Sequence, residues 1–194
     1  MRRYPWLTAL AASACLVGCG SGIDVPPATT AVTQQQIHLY AIAGTPVGTP
    51  SAYDMVQLGE VQIFRSNSWD YVFDLGPDSS YGLGTTGDTI AVILPRGYFG
   101  FAEDGGVIWT LSSFDSVLVA PIIGYEQKKA TRVRAGDTFL VSSRAQACNF
   151  GVSRPLYAKG LIQSIDLVTR SAVILMEVDT NCGFIGLGIG IPTH

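Results

Sequence analysis

The side chains able to do chemistry are few. The 194-residue chain has two histidines, four cysteines and 15 acidic residues. Nucleophilic hydrolysis usually needs an imidazole close to a serine or cysteine. His38 falls in a stretch that reads as a strand and His194 is the final residue, so neither sits in a loop beside an obvious nucleophile. Asp70 and Asp74 lie on one side of an alternating segment. Four residues of strand separate them by roughly 13 Å, beyond the roughly 5 to 9.5 Å that glycosidase carboxylates span, so they are expected to form a solvated face. Zinc needs clustered ligands that this sequence does not group. Asp104 with Glu103, or Asp78 with Asp88, supplies oxygens in Gly-rich loops of the kind that can hold calcium, although aspartate is also an ordinary turn residue. The glycines of residues 183–190, GFIGLGIG, precede no helix, which removes the context that a nucleotide loop requires. No metal or other cofactor is expected.

The cysteines are more informative. Leu16-Val17-Gly18-Cys19 closes an apolar run that begins near Trp6, behind Arg2 and Arg3. A positive start, an apolar stretch, a small residue and then a thiol is the order of a secretory signal with a marked cleavage site. This stretch resembles the lipobox of bacterial lipoproteins, and the resemblance covers residues 1–19 only. It implies that the Cys19 thiol takes up a diacylglyceryl group, that a peptidase cuts before it, and that the mature chain begins at lipidated Cys19. The run is short of the roughly 20 apolar residues of a spanning helix and includes Thr8, Ser13 and Gly18. Beyond Arg2-Arg3 the twin-arginine export pattern is absent, which leaves ordinary secretion. Gly20 follows Cys19 where an aspartate would imply retention, so in a bacterium with two membranes the resemblance implies the outer membrane, and with one membrane the outer face of the cell membrane. Cys15 leaves with the leader. Cys148 and Cys182 then remain as a pair in an oxidising compartment, and a disulfide between them is predicted.

Removing residues 1–18 leaves roughly 175 residues, enough for one domain with a real core. The leader takes Arg2 and Arg3 with it, and the acidic balance that remains argues against a nucleic-acid partner. Charged residues make up 14% and hydrophobic ones 47%, with 22 glycines, a composition suited to short strands and turns. Residues 19–36 read as a lipidated N-terminus and flexible tether, rich in small, Pro, Thr and Gln residues, with a fully extended reach of roughly 55 Å.

Residues 37–194 read as a single all-β domain. Apolar segments recur between Gly, Pro, Asn and Asp clusters, the rhythm of an antiparallel β-sandwich or a partly closed β-barrel of about nine or ten strands. Strands are expected over 37–43, 61–65, 68–75, 89–94, 98–102, 107–111, 116–123, 138–142, 157–166, 171–179 and, thinly, 184–191. Within 68–75 the aromatic side, Trp69, Tyr71 and Phe73, is assigned to the core and the acidic side, Asp70 and Asp74, to water. Residues 89–94 are apolar nearly throughout and should be covered on both faces. The clearest hairpin joins 157–166 to 171–179; if Asp166 pairs with Ser171, Cys182 falls opposite Pro155, where Cys148 would meet it from the preceding loop.

Tyr98, Phe99 and Phe101, with Trp109 across a second expected hairpin, are the candidate ligand surface, since an exposed aromatic can stack on a sugar or peptide. Lys128, Lys129, Arg132 and Arg134 form the basic cluster and could face anionic headgroups. The reading that results is a lipid-anchored, non-enzymatic extracytoplasmic β domain with a binding or structural role. Its lipid partner is reached through Cys19, and a protein or carbohydrate partner is left open. Two further readings are a barrel enclosing an apolar ligand among Trp69, Phe73, Phe101 and Trp109, and a hydrolase built on a cleft that gathers carboxylates with His38.

Overall fold

The computed structural model describes residues 26–102, 104–148 and 151–193. The lipobox-like stretch with Cys19, and the expectations for Glu103 and His194, lie outside the described residues.

The chain is all-β and antiparallel. One five-stranded sheet has the order β1 (Thr33–Tyr40), β12 (Ser171–Asp179), β11 (Tyr157–Asp166), β8 (Thr138–Ser142) and β6 (Gly106–Thr110). The second has the order β3 (Gly59–Val61), β2 (Ala52–Asp54), β4 (Tyr71–Pro77), β5 (Thr89–Pro95) and β7 (Thr131–Val133). A two-stranded ribbon pairs β9 (Gln146–Ala147) with β10 (Ser153–Arg154). Three 3-10 turns, Asp78–Tyr81, Arg96–Phe99 and Phe114–Ser116, interrupt the strands. Neither large sheet closes on itself.

The main core lies between the two sheets. Leu39, Phe139, Ile162, Ile174 and Met176 from the first sheet meet Tyr53, Tyr71, Phe73, Leu75 and Ile93 from the second, all inaccessible to solvent. Tyr71 sets its ring edge-on to Phe139 at 5.7 Å, and its hydroxyl donates to Met176 Sδ at 3.2 Å. Gly160 makes this packing possible: a Cβ there would stand 2.4 Å from the Phe139 ring and 2.9 Å from Met176 Sδ.

Each sheet is also covered on its outer face. Trp69, Val72, Val92 and Leu94 form a second cluster behind β4 and β5, which accounts for the nearly unbroken apolar run of residues 89–94. Leu140 and Tyr157 pack with Val117, Ala120 and Leu187 behind the first sheet.

The hairpin of β11 and β12 has Asp166 opposite Ser171, as the alternation requires. A bulge between Ile162 and Ser164 then moves the register by one, so that Tyr157 faces Asp179. The disulfide joins Cys148 to Cys182 with their Cα atoms 5.8 Å apart, tying the β9–β10 loop to the exit of β12.

Several expected boundaries are corrected. Thr33, Gln34, Gln35 and Gln36, expected in the tether, belong to β1. Their amides find partners across strands, Gln34 on Glu177 at 2.7 Å, Gln36 on Gln163 at 2.8 Å and Gln35 on Leu58 O at 3.2 Å and Tyr53 Oη, so a polar run joins the sheet without leaving groups unpaired. Residues 98–102 are not a strand: a 3-10 turn over Arg96–Phe99 ends at Gly100, whose φ of 80° is in the left-handed region that glycine tolerates. Residues 116–123 and 184–191 share only an isolated bridge, Val119 with Gly186, because they lie over the outer face of the first sheet and do not extend either sheet. Strand β3 ends at Val61, where residues 62–65 turn. Asp70 and Asp74 do not face water; both are buried.

Candidate functional site

The expected ligand surface divides in two. Pro95 ends β5, and the 3-10 turn that follows carries Arg96, Tyr98 and Phe99 back over Trp69. Successive side chains of a 3-10 turn diverge by about 120°, so Tyr98 and Phe99 lie side by side where strand geometry would send them to opposite faces. Their rings are 5.4 Å apart and nearly perpendicular. Trp69 stands edge-on to both Phe99 and Phe101 at 5.4 Å. Tyr98 and Phe99 remain partly exposed, each at 37%. Trp109 is elsewhere, 44% exposed on edge strand β6, and has no aromatic ring partner among the described residues. The hairpin expected to bring it opposite Phe101 does not form, because β6 pairs with β8.

Arg96 holds the aromatic corner together. Its guanidinium carbon lies 5.2 Å from the Trp69 ring and 4.8 Å from that of Phe101, within cation–π range. Nη1 donates to the carbonyls of Asn67 at 2.7 Å and Trp69 at 2.5 Å. Asp104 Oδ1 is 4.0 Å from Nε. Burial pulls the guanidinium below its ordinary pKa and Asp104 pulls it back. A positive charge set against the Trp69 and Phe101 rings fixes the corner's shape and leaves Tyr98 and Phe99 as its accessible surface.

A second charged cluster lies at the edge where the two sheets meet. Arg144 places Nη2 2.8 Å from Asp54 Oδ1 and Nη1 3.0 Å from Asp70 Oδ2. Asp70 also accepts the N–H groups of Arg144 at 2.9 Å and Met55 at 2.7 Å, and Asp54 those of Val56 and Gln57. Burial raises the Asp70 carboxyl above its ordinary pKa, and Arg144 opposes that rise. With these partners the two carboxylates hold backbone in place, and the arrangement is structural in form.

The remaining candidates resolve in similar ways. Asp74 accepts the N–H groups of Ile42, Ala43 and Leu75 at 2.9 to 3.3 Å. Asp78 accepts the Thr86 hydroxyl at 2.8 Å and the Gly87 N–H at 2.8 Å, which hold its carboxyl below the ordinary range and organise the loop of residues 78–88. A Cβ at Gly84 would fall 2.0 Å from that carboxylate. The described residues contain no group of three His, Cys, Asp or Glu side chains placed to hold a metal ion.

His38 lines an open depression of about 300 Å³ with Ser164, Asp166, Thr169, Ser171 and Val173. Asp166 accepts the N–H groups of Val168 and Thr169 in the hairpin turn, and Ser171 pairs with Thr169 at 2.8 Å. No hydrogen bond joins His38 to either serine or to Asp166, so the depression lacks the nucleophile–base contact of a hydrolase. Trp69, Phe73, Phe101 and Trp109 line no common cavity either. Phe73 is in the inter-sheet core, while Trp69 and Phe101 are on the outer face of the second sheet.

Arg96, Arg144 and Asp54 were not singled out by sequence reasoning. The available signal was charge scarcity: in a chain with 14% charged residues, an acid alternating with aromatics in a strand invites a buried cationic partner.

Compared with known proteins, the chain matches no family model, no curated protein and no solved structure.

Proposed function

We propose that this chain is a bacterial lipoprotein, exported and anchored through acylated Cys19, whose β-sandwich serves a non-enzymatic binding or structural role on the extracytoplasmic side of a membrane. The observation that carries the reading is the conjunction of Leu16-Val17-Gly18-Cys19 behind a basic, apolar leader with a disulfide between Cys148 and Cys182, which belongs to an oxidising compartment. One acyl chain binds a bilayer reversibly and two or more hold it durably, so the lipidated cysteine is the mechanism of retention. Gly20 after Cys19 supports the outer membrane in a two-membrane source. The partly exposed Tyr98 and Phe99, braced by Arg96, are the surface offered to a carbohydrate or protein partner.

The test is fractionation of cells making the chain with Cys19→Ser. The variant is expected in the soluble fraction and the parent in the membrane fraction, with the parent's N-terminal peptide carrying the mass of the acyl groups. A variant that stays with the membranes, or a parent N-terminus with an unmodified thiol, overturns the reading.

A further inference from the structure

An exposed apolar surface is built by two segments that lie outside the sheets. Residues 117–120 and 185–188 run side by side, with Ala120 N donating to Ile185 O and Leu187 N to Leu118 O, each at 2.8 Å. Their inward side chains, Val117, Ala120 and Leu187, close over Leu140 and Tyr157. The same segments and their continuations leave Leu118, Val119, Ile122, Ile123, Ile189 and Ile191 between 44% and 84% exposed. No charged residue occurs in 116–125 or in 180–193. Exposed apolar side chains strung along two paired, uncharged segments mark an interaction surface.

The exit of the N-terminal segment identifies what covers it. Val32 N donates to Gly190 O at 2.8 Å, inside the apolar face. One turn of chain earlier, Thr29 N and Thr30 N donate to Asn181 Oδ1 at 3.1 and 3.0 Å, and Asn181 Nδ2 returns a bond to Thr30 O at 2.7 Å. Asn181 is itself held by Asp179 and adjoins disulfide-bonded Cys182, so this clasp is rigid. The clasp leaves ten residues of chain between Cys19 and Thr29. Ten residues reach at most roughly 35 Å. Residues 26–33 are also uncharged.

Resting on the lipid anchor proposed above, we propose that the face formed by Leu118, Ile122, Ile123, Ile189 and Ile191 lies in the interfacial layer of the bilayer that holds Cys19, so that the domain is seated on the membrane in a fixed orientation. The tether keeps this face at high local concentration beside the lipid, and the absence of charge removes the desolvation cost of entering the headgroup–acyl boundary. The basic cluster expected to meet headgroups is not part of this surface; Arg132 lies on β7, the edge of the second sheet. In the seated orientation the turn of residues 62–65 is on the far side of the domain, because Val61 and Ile63 pack on the outer face of the second sheet while the apolar face covers the outer face of the first.

The experiment uses the full-length lipidated protein reconstituted into phosphatidylcholine vesicles with or without brominated acyl chains. Tryptophan is introduced as Ile123→Trp, as Ile189→Trp, or as Phe64→Trp on the far side, where Phe64 is 67% exposed. Signals are read as differences from the parent, which contains its own tryptophans. The added fluorescence at 123 and 189 is expected to fall about twofold in brominated vesicles, as for a group within about 10 Å of the headgroup boundary, while that at 64 is unchanged. Equal quenching at all three sites, or none at 123 and 189 in protein that floats with the vesicles, overturns the seating while leaving the anchor intact. Cover by a second copy or by another segment of the chain gives that second result. Protein that carries no acyl mass and does not float fails the anchor itself.

Discussion

Arg144 reaches back 74 residues to set its guanidinium 3.0 Å from Asp70, and in doing so closes the edge where the two sheets meet. Asp70 is fully buried on β4's approach, Asp54 ends β2, and Arg144 follows β8 in the other sheet. One cation thus bridges two buried carboxylates from the facing layer.

Replacing Arg144 with methionine leaves both acids without their counter-charge. Removing one partner of a buried pair is expected to cost about 3 to 5 kcal/mol at neutral pH, read from urea unfolding. The loss depends on pH with a definite sign. Burial already raises the Asp70 pKa in the folded state, and removing Arg144 raises it further. A carboxyl with a raised folded pKa costs no stability below its unfolded pKa, progressively more as pH rises from there toward the folded one, and a constant amount above it. The gap between parent and R144M should therefore narrow toward pH 4 and widen toward pH 7. A gap independent of pH would remove Asp70 from the account.

The hairpin of β11 and β12 was legible because ten- and nine-residue strands give alternation room to declare itself, and residues 167–170 supply a turn between them. The Cys148–Cys182 pairing was legible by elimination among four cysteines. Strands β2 and β3 were not, since three residues carry no period. Residues 98–102 and 116–123 have strand composition, yet the first is stacked on Arg96 and the second lies over Leu140 and Tyr157. Tertiary packing, which composition does not encode, decided both. Asp70 and Asp74 were assigned to water because nothing near them in sequence announces Arg144 or the N–H groups of Ile42 and Ala43.

The disulfide spans 34 residues and includes the whole of β11 and β12. On the chain-entropy account a loop of that length stabilises the fold by about 3 to 4 kcal/mol. The paired variant with serine at both positions should lose about that much in urea unfolding. Alkylation of the denatured parent without reductant should label neither Cys148 nor Cys182, and with reductant both. Labelling before reduction would refute the bridge.

Gly160 tests the packing of the main core. In Gly160→Ala the new methyl group would collide with both Phe139 and Met176, and neither has open space to enter in a core this full. Overpacking of this kind is expected to cost about 1 to 3 kcal/mol. The variant G160A/M176A, with volume returned at the same place, should lose less than the sum of its two single changes; strict additivity would indicate that the residues do not share space.

Lys159 links the main fold to the apolar cover. Its ammonium pairs with Glu177 at 2.9 Å, donates to the carbonyls of Phe114 and Val117 at 2.9 Å each, and lies 4.6 Å from the Phe114 ring centre. Phe114 opens the 3-10 turn and Val117 caps it, at the point from which the cover continues. Lys159→Met should cost about 3 to 5 kcal/mol by stranding Glu177, whereas K159M/E177L should recover most of it, because a buried ion pair and an apolar pair of similar volume are often equivalent. The recovery of global stability should not restore the cover. Neither variant can donate to Phe114 O and Val117 O, so the Ala120 and Leu187 amides should exchange hydrogen faster in both, while the Ile174 and Met176 amides of β12 slow again in the double variant. If Ala120 and Leu187 regain parental protection in K159M/E177L, the cover is held by its apolar contacts with Leu140 and Tyr157 alone, and Lys159 serves only to neutralise Glu177.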